Sequence, residues 1–420
     1  MVTLTILGAG KEVGRAAIAV EHRSSVVLLD YGVNFDDNDL PQLPLHYPPA
    51  KLKGIVLTHG HLDHIGGAPI FYISRRPIAV ATSFTRDVAE IMLRDFLKLS
   101  GYYLPFEDGE VADLLSTMRI VGYGEDVELG SIVVRLRDSG HIPGSAMVEV
   151  ETGSKKIVYT GDINFVETKL VGPADVSGLE ADVIIIESTY GTSEHPPRRE
   201  VEERFYNNVL EVVENGGTVL VPAFSLGRGQ EILCVLVERG FDYPIYVDGM
   251  VRGITELMLE RDRFLRDPEL LRKAYDQANI VRGWQDRRNA WKEPGVIIAS
   301  AGMLKGGPSR FYLRKLAKNE RNAIFMVSFQ APGTPGRRIL EEGKYTEEGP
   351  MVKARVEWFD FSSHAGRTEL LEIIKRIKGL EKVIVVHGEP EVAEAFAEDV
   401  RVNLGIDAIV PSNGEKISLD

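Results

Sequence analysis

The chain has a single cysteine, Cys234, among 420 residues, so no disulfide can form within it. Cys234 sits among Glu231-Ile232-Leu233-Cys234-Val235-Leu236, a helix pattern in which it reads as a small core residue. A cytoplasmic setting is the default expectation. No apolar run approaches the roughly 20 residues of a membrane span. The opening stretch, Met1 to Ile6, lacks a basic region followed by an apolar one, so no secretory signal is expected. Positive charge is also short. Lys and Arg number 49 against 62 Asp and Glu, which gives a formal net charge of -13. That argues against a protein held on nucleic acid by bulk charge, while leaving room for a local basic groove or for bound dications that bring their own charge. With 44% hydrophobic and 26% charged residues, the composition is globular and the chain is long enough for two cores.

Histidine is scarce too, nine in all, which makes its placement informative. Three fall within six positions in Thr58-His59-Gly60-His61-Leu62-Asp63-His64, and Asp63 adds a fourth ligand-capable side chain. Chance histidines on a polar loop are a poor account of that density. Imidazole suits zinc, and a carboxylate beside it supplies a harder oxygen. Four ligands this close cannot all serve one tetrahedral ion that keeps a position for water, but they suit two ions sharing a loop. The same strand-to-ligand junction recurs along the chain. Apolar runs lead to Asp30, His141, Asp162, Glu187 and His387. Side chains at one end of packed strands converge on one sheet edge. The expected set gives one Zn2+ His59, His61 and His141, and the second Zn2+ Asp63, His64 and His387. Asp162 bridges the two, and a shared hydroxide attacks in line. Asp30 is expected to hold a ligand imidazole in its tautomer.

The first 60 residues read as short strands. The segment Gly8-Ala9-Gly10-Lys11-Glu12-Val13-Gly14 lacks the spacing and the following helix of a dinucleotide site, so it reads as a turn between antiparallel strands. Helices are predicted over 85–99 and 110–118, and strands return between 132 and 186. From about 190, short apolar strands alternate with helices, the pattern of a parallel α/β sheet. Residues 262–294 read as a charged excursion. From about 353 the first texture resumes, with alternation over 355–361.

Together these residues resemble the metallo-β-lactamase superfamily and, within it, the β-CASP nucleases, closest to archaeal and bacterial homologues of the cleavage and polyadenylation nuclease subunit. The matching motifs are Asp30, the 59–64 loop, His141, Asp162, Glu187 in Glu187-Ser188-Thr189-Tyr190-Gly191, His364 in Ser362-Ser363-His364-Ala365-Gly366, and His387. The resemblance implies an α/β fold, an αββα metallo-β-lactamase sandwich with an inserted β-CASP α/β domain. The expected divisions are 1–188, 189–352 and 353–420. It further implies a zinc-dependent ribonuclease acting on single-stranded RNA in processing or decay, as endonuclease, 5′–3′ exonuclease or both. His364 would be the general acid, supported by Glu187, and Asp63 would help orient the hydroxide. Homodimers are common in the family, although no interface is legible here. DNA-processing members typically carry Val where this chain has His387, which favours RNA over DNA. A non-catalytic RNA-binding scaffold would lack metal ligands, and every expected ligand is present.

For substrate contacts, Ser362 and Ser363 precede a helix whose N-terminus would favour a phosphate. Ser225 and Arg228 occupy a similar strand-to-helix junction, and Gln330, Arg337 and Arg338 lie in a Gly/Pro-rich loop. Arg310, Arg314 and Lys318 share one helix face that suits either an RNA backbone or solvent. Trp284 and Trp291 read as core or interface residues before base-stacking ones.

Overall fold

The computed structural model describes residues 1–419 and divides into two compact units. The first comprises Met1–Val166, Gly172–Glu194 and Ser363–Asp420, and the second Glu167–Val171 and His195–Ser362.

Alternating and fully apolar strands build the first unit as two seven-stranded sheets. One runs Lys416–Ser418, Val2–Gly8, Ala17–His22, Ser25–Leu29, Leu52–Val56, Ile78–Ala81 and Met118–Ile120. The other runs Asp407–Ile409, Lys382–Val386, Val183–Glu187, Lys156–Tyr159, Ala146–Glu151, Ile132–Asp138 and Asp126–Leu129. Alternation gives way at the centre of the sheets. Ser25–Leu29 and Val183–Glu187 are buried throughout, as strands covered on both faces must be. Between the sheets lies an apolar core that includes Leu4, Val20, Val27, Val134, Val148, Ile185 and Ile384. Helices Ser83–Ser100 and Asp108–Thr117 cover the outer face of the first sheet, through Leu93, Phe96, Val111 and Leu114. Helices Arg367–Arg376 and Pro390–Leu404 cover the second, through Leu370, Ile374, Phe396 and Val400. The layer order is therefore αββα.

The second unit carries a six-stranded, all-parallel sheet: Asn279–Ile280, Ile245–Asp248, Gly295–Ala299, Thr218–Pro222, Ala323–Met326 and Arg355–Trp358. Two sequence expectations change here. The alternating run at 355–361 begins with an edge strand of this sheet, paired in parallel with Ala323–Met326, so the second division falls at 362/363 and not at 352/353. Alternation reports one solvated face and cannot say which sheet the strand joins. Residues 262–294 are not an excursion either. They supply the helix Pro268–Gln277, the edge strand Asn279–Ile280 and the helix Trp284–Asn289. Among the described residues no helix is long and apolar enough to cross a membrane.

Backbone packing fixes the 59–64 loop before any side chain acts. The amides of Ala16, Tyr31 and Val33 donate to the carbonyls of Asp63, His64 and Leu62 at 2.8, 2.9 and 3.0 Å. Gly32 lies under this contact. A Cβ there would stand 1.7 Å from the Asp63 carbonyl oxygen and 2.7 Å from the His64 nitrogen. Both obstacles are backbone and cannot rotate away. Gly32→Ala is expected to cost about 1–3 kcal/mol, read as a lower urea midpoint. An unchanged midpoint would mean that the loop has slack the packing does not show.

Candidate metal centre

Each cluster residue leaves the C-terminal end of a strand or the turn just beyond it. Asp30 follows Ser25–Leu29, the 59–64 loop follows Leu52–Val56, Asp162 follows Lys156–Tyr159, Glu187 ends Val183–Glu187, and His387 follows Lys382–Val386. Asp30 and His387 have positive φ, 57° and 50°. Such left-handed backbone is uncommon for residues with a Cβ and persists where surrounding contacts impose it. The His387 amide donates to Ala9 O at 2.8 Å, and the Asp30 amide to Val56 O at 2.8 Å.

Three overlapping groups of potential ligand atoms result, the third made by Asp162, Glu187 and His387. In the first, His61 Nδ1 lies 3.0 Å from His59 Nε2 and 3.3 Å from His141 Nε2. Asp162 Oδ2 stands 3.4 Å from His59 Nε2 and 3.5 Å from His141 Nε2. In the second, His387 Nε2 and His64 Nε2 face Asp63 Oδ2 at 3.6 and 3.9 Å. The other Asp162 oxygen, Oδ1, is 3.2 Å from His64 Nε2 and 3.8 Å from His387 Nδ1. One carboxylate therefore turns one oxygen to each of these two groups.

Asp30 organises the imidazoles. It is fully buried and accepts four hydrogen bonds: from the Thr58 amide and hydroxyl, both at 2.8 Å, from His64 Nδ1 at 2.7 Å and from the Tyr159 hydroxyl at 3.0 Å. The Thr58 hydroxyl spends its proton on Asp30, so its lone pair accepts from His59 Nδ1 at 3.1 Å. His141 Nδ1 donates to the Ser363 carbonyl at 2.7 Å. These bonds place the protons of His59, His64 and His141 on Nδ1 and turn each Nε2 lone pair toward the cluster. Burial pushes the Tyr159 hydroxyl pKa up, and Asp30 and Asp162 push it further, so Tyr159 stays a neutral donor. Thr58 and Tyr159 escaped the sequence reading. Both adjoin recognised motifs, at the ends of strands already assigned to the site, and that position was the available signal.

The surroundings favour a bound cation. Burial holds the pKa values of His59, His61 and His141 low, His61 at about 3, which keeps these rings in the neutral form that ligates. Burial also disfavours a charged His64, yet Asp162, Asp30 and Asp63 raise it well above its ordinary value. Burial opposes a charged His387 too, and Asp162 and Asp63 raise it. This corner thus has more carboxylate than its own cations balance. His61 Nε2, His64 Nε2 and Asp162 Oδ1 are buried without a hydrogen-bond partner. Converging lone pairs and orphaned buried atoms are what a divalent metal would satisfy.

Beside His141 and Asp162, Glu187 Oε1 and Oε2 stand 2.9 and 3.0 Å from His364 Nδ1. Glu187 is itself held by the Ile163 amide at 2.8 Å and the Thr189 hydroxyl at 2.5 Å. His364 Nε2 then lies 3.9 Å from Asp162 Oδ2. Burial lowers the His364 pKa, but Glu187 and Asp162 outweigh it and bring it to about 9. The turn Gly8–Gly14 also reaches the cluster: the Gly14 amide donates to His387 Nε2 at 3.2 Å.

The expected substrate contacts fare differently. The helix Arg367–Arg376 has its first amides taken. Gly366 N donates to Glu369 at 2.9 Å, Arg367 N to Ser193 O at 2.9 Å and Thr368 N to Glu194 at 3.2 Å. Two carboxylates already occupy the positive helix end, so Ser362 and Ser363 do not introduce an open phosphate seat there. Ser363 contributes its carbonyl to His141 instead, and the Ser362 carbonyl accepts from Arg198 at 3.0 Å. Gln330 is buried and spends its Nε2 on the Gly302 and Ser328 carbonyls, a clamp inside the second unit. Arg337 is exposed and pairs with Glu341 at 2.6 Å. Ser225 sits in the turn before helix Arg228–Glu238, its carbonyl held by Gln230. Arg228 opens that helix and faces Asp360. Burial works against the Asp360 carboxylate, while His195 at 2.7 Å holds its pKa low and Arg228 assists. Nothing in sequence periodicity separates a clamp from a surface contact.

Three family models match the chain: one described as the metallo-β-lactamase superfamily over residues 10–222, one as the Beta-Casp domain over 230–339, and one as a Zn-dependent metallo-hydrolase RNA specificity domain over 349–411. RNase aCSPSF2 of Saccharolobus solfataricus is 54% identical over 99% of this chain and 85% of its own length. Probable RNase MJ4 of Methanocaldococcus jannaschii is 34% identical over 98% and 99% of the two chains. Transcription termination factor FttA of Pyrococcus horikoshii is 32% identical over 100% of this chain and 71% of its own. A protein of unknown function from Enterococcus faecalis shares the fold at a TM-score of 0.62 and 15% identity, with all of both chains covered. With two strand-end ligand groups joined by Asp162 and these matches along its length, the chain belongs to the metallo-β-lactamase superfamily, in the branch that carries a β-CASP domain.

Proposed function

We propose that the protein is a zinc-dependent ribonuclease that hydrolyses single-stranded RNA, as an endonuclease, a 5′–3′ exonuclease or both. The observation that carries this reading is the pair of ligand groups sharing Asp162, set beside a Glu187–His364 acid pair. The names of the relatives and the RNA specificity domain support RNA as the substrate. Zinc fits the first group. Zn–N distances of about 2.0–2.1 Å place the donors of a tetrahedron about 3.3–3.4 Å apart, and the separations in this group run from 3.0 to 3.5 Å.

His59, His61, His141 and Asp162 would hold one ion, and Asp63, His64, His387 and Asp162 the other. When bound, the two ions would supply Lewis acidity, lowering the pKa of a water toward about 7 and offsetting charge on the phosphate. The chain's own work is positional. Asp30 and Thr58 lock imidazole tautomers, and Ser363 locks that of His141. Asp63, whose side chain is 33% exposed, is the ligand open enough to orient the attacking water as well. His364 holds a proton on Nε2 because Glu187 stabilises its cation. As water attacks phosphorus and the bond to the leaving ribose oxygen breaks, that proton passes to the oxygen.

Asp162→Ala removes an oxygen from both groups. Metal analysis of the purified variant should show well under two zinc ions per chain, with RNA cleavage lost and the far-UV spectrum retained. Cleavage at the wild-type rate would sink the assignment. His364→Ala should keep both ions and lose about 10²–10⁴ in kcat on RNA, but far less on a p-nitrophenyl phosphodiester, whose leaving group needs no proton. Equal losses on both substrates would make His364 structural. One RNA labelled at either end and carrying a 5′-triphosphate, monophosphate or hydroxyl separates the two modes of attack. Mononucleotides released only from monophosphate ends mark an exonuclease, and internal fragments from every end mark an endonuclease. The same digestion with DNA of equal sequence should be slower, and equal rates would overturn the RNA preference.

A further inference from the structure

The second unit contributes no ligand to the metal groups, yet it presents an aromatic and basic hollow that the mechanism does not use. The hollow measures about 440 Å³ and lies between helices Trp284–Asn289 and Gly307–Leu316. Trp284 is 57% exposed there, and its ring meets Phe311 edge-on with centroids 5.1 Å apart. Lys315 Nζ sits 5.4 Å from the Trp291 ring centroid and 5.7 Å from that of Phe311. The indole Nε1 of Trp291 is buried without a hydrogen-bond partner.

This arrangement is built and held. Arg287 forms two 2.7 Å bonds to the buried Asp248, which also accepts the Tyr312 hydroxyl at 2.8 Å. That triad locks the two helices side by side. The nearby acids are committed elsewhere: Asp286 accepts the amides of Arg282 and Gly283, and Glu293 bonds the Tyr246 hydroxyl. Arg288, Arg314 and Lys315 form no ion pair among the described residues. In a chain of net charge -13, the unpaired cations Arg288 and Lys315 beside edge-on aromatic rings are complementary to an anion that carries planar groups.

We propose that this hollow is a binding site for a few nucleotides of single-stranded RNA. A base stacks on the exposed face of Trp284, and Arg288 and Lys315 meet the flanking phosphates. Aromatic platforms beside basic side chains bind single strands with little sequence preference, because every base offers a π face and every linkage a charge. The inference rests on the ribonuclease reading for its choice of RNA over other anions.

Titration of the zinc-loaded protein with a cleavage-resistant 2′-O-methyl oligoadenylate, followed by tryptophan fluorescence, tests it. The wild type should be quenched on binding. Trp284→Ala should lose most of that quenching and bind on the order of tenfold more weakly, with Trp284→Phe recovering most of the affinity. Arg288→Gln and Lys315→Gln should each reduce the salt dependence of binding by about one ion. An unchanged urea midpoint would confirm that Trp284→Ala folds. Wild-type affinity in Trp284→Ala would overturn the site. If Trp284 governs binding but the wild type cleaves no RNA, the nuclease reading fails and the site stands. If RNA is cleaved and Trp284→Ala binds normally, the site fails alone.

Discussion

The whole centre depends on one buried carboxylate. Asp30 has no exposed surface and, among the described residues, no Lys or Arg paired with it, so its charge is carried by four hydrogen-bond donors. Those donors come from the ends of two other strands, Leu52–Val56 and Lys156–Tyr159. Because each must point at the same two oxygens, each is oriented by the same requirement, and the imidazoles of His59 and His64 inherit that orientation. Losing the carboxylate would leave the donors buried and unsatisfied while freeing both rings to choose the other tautomer.

The positive φ at Asp30 and His387 belongs to the same logic. Strands covered on both faces cannot display polar groups along their length, so chemistry is confined to their ends. A chain that turns sharply there can aim a side chain back across the sheet edge. Asp162, reached through Thr160 and Gly161, performs the complementary task. It is buried, and its two oxygens divide between two sets of imidazoles. The site is electrostatically incomplete from within, with lone pairs converging in one half and excess carboxylate in the other.

The second unit follows a different rule. Its parallel sheet is fully apolar at the centre, and its polar clamps, Gln330 on Gly302 and Ser328 and Arg287 on Asp248, fix loops and helices from inside. Buried side chains of this kind look like binding residues in a sequence, since both uses favour the same amides and guanidinium groups in Gly-rich turns. Trp284 shows the converse. A tryptophan in a charged stretch reads as core until its exposure and its neighbours are seen.

The sequence by itself brought out the residues that cluster at the candidate site. His59, His61, Asp63 and His64 lie within one loop, and Asp30, His141, Asp162, Glu187 and His387 each follow an apolar run, because strand ends are where a buried sheet can place polar groups. It also determined the layered α/β character, since period-2 and period-3.6 patterns are local. Tertiary structure alone decided what depends on partners far apart in the chain. It paired Arg355–Trp358 with the inserted sheet, filled the Thr368 amide with Glu194, turned Gln330 onto Gly302, and recruited Thr58, Tyr159 and the Gly14 amide to the centre. Each of these is a hydrogen bond or strand pairing to a distant residue, and local periodicity carries no information about which distant residue that will be.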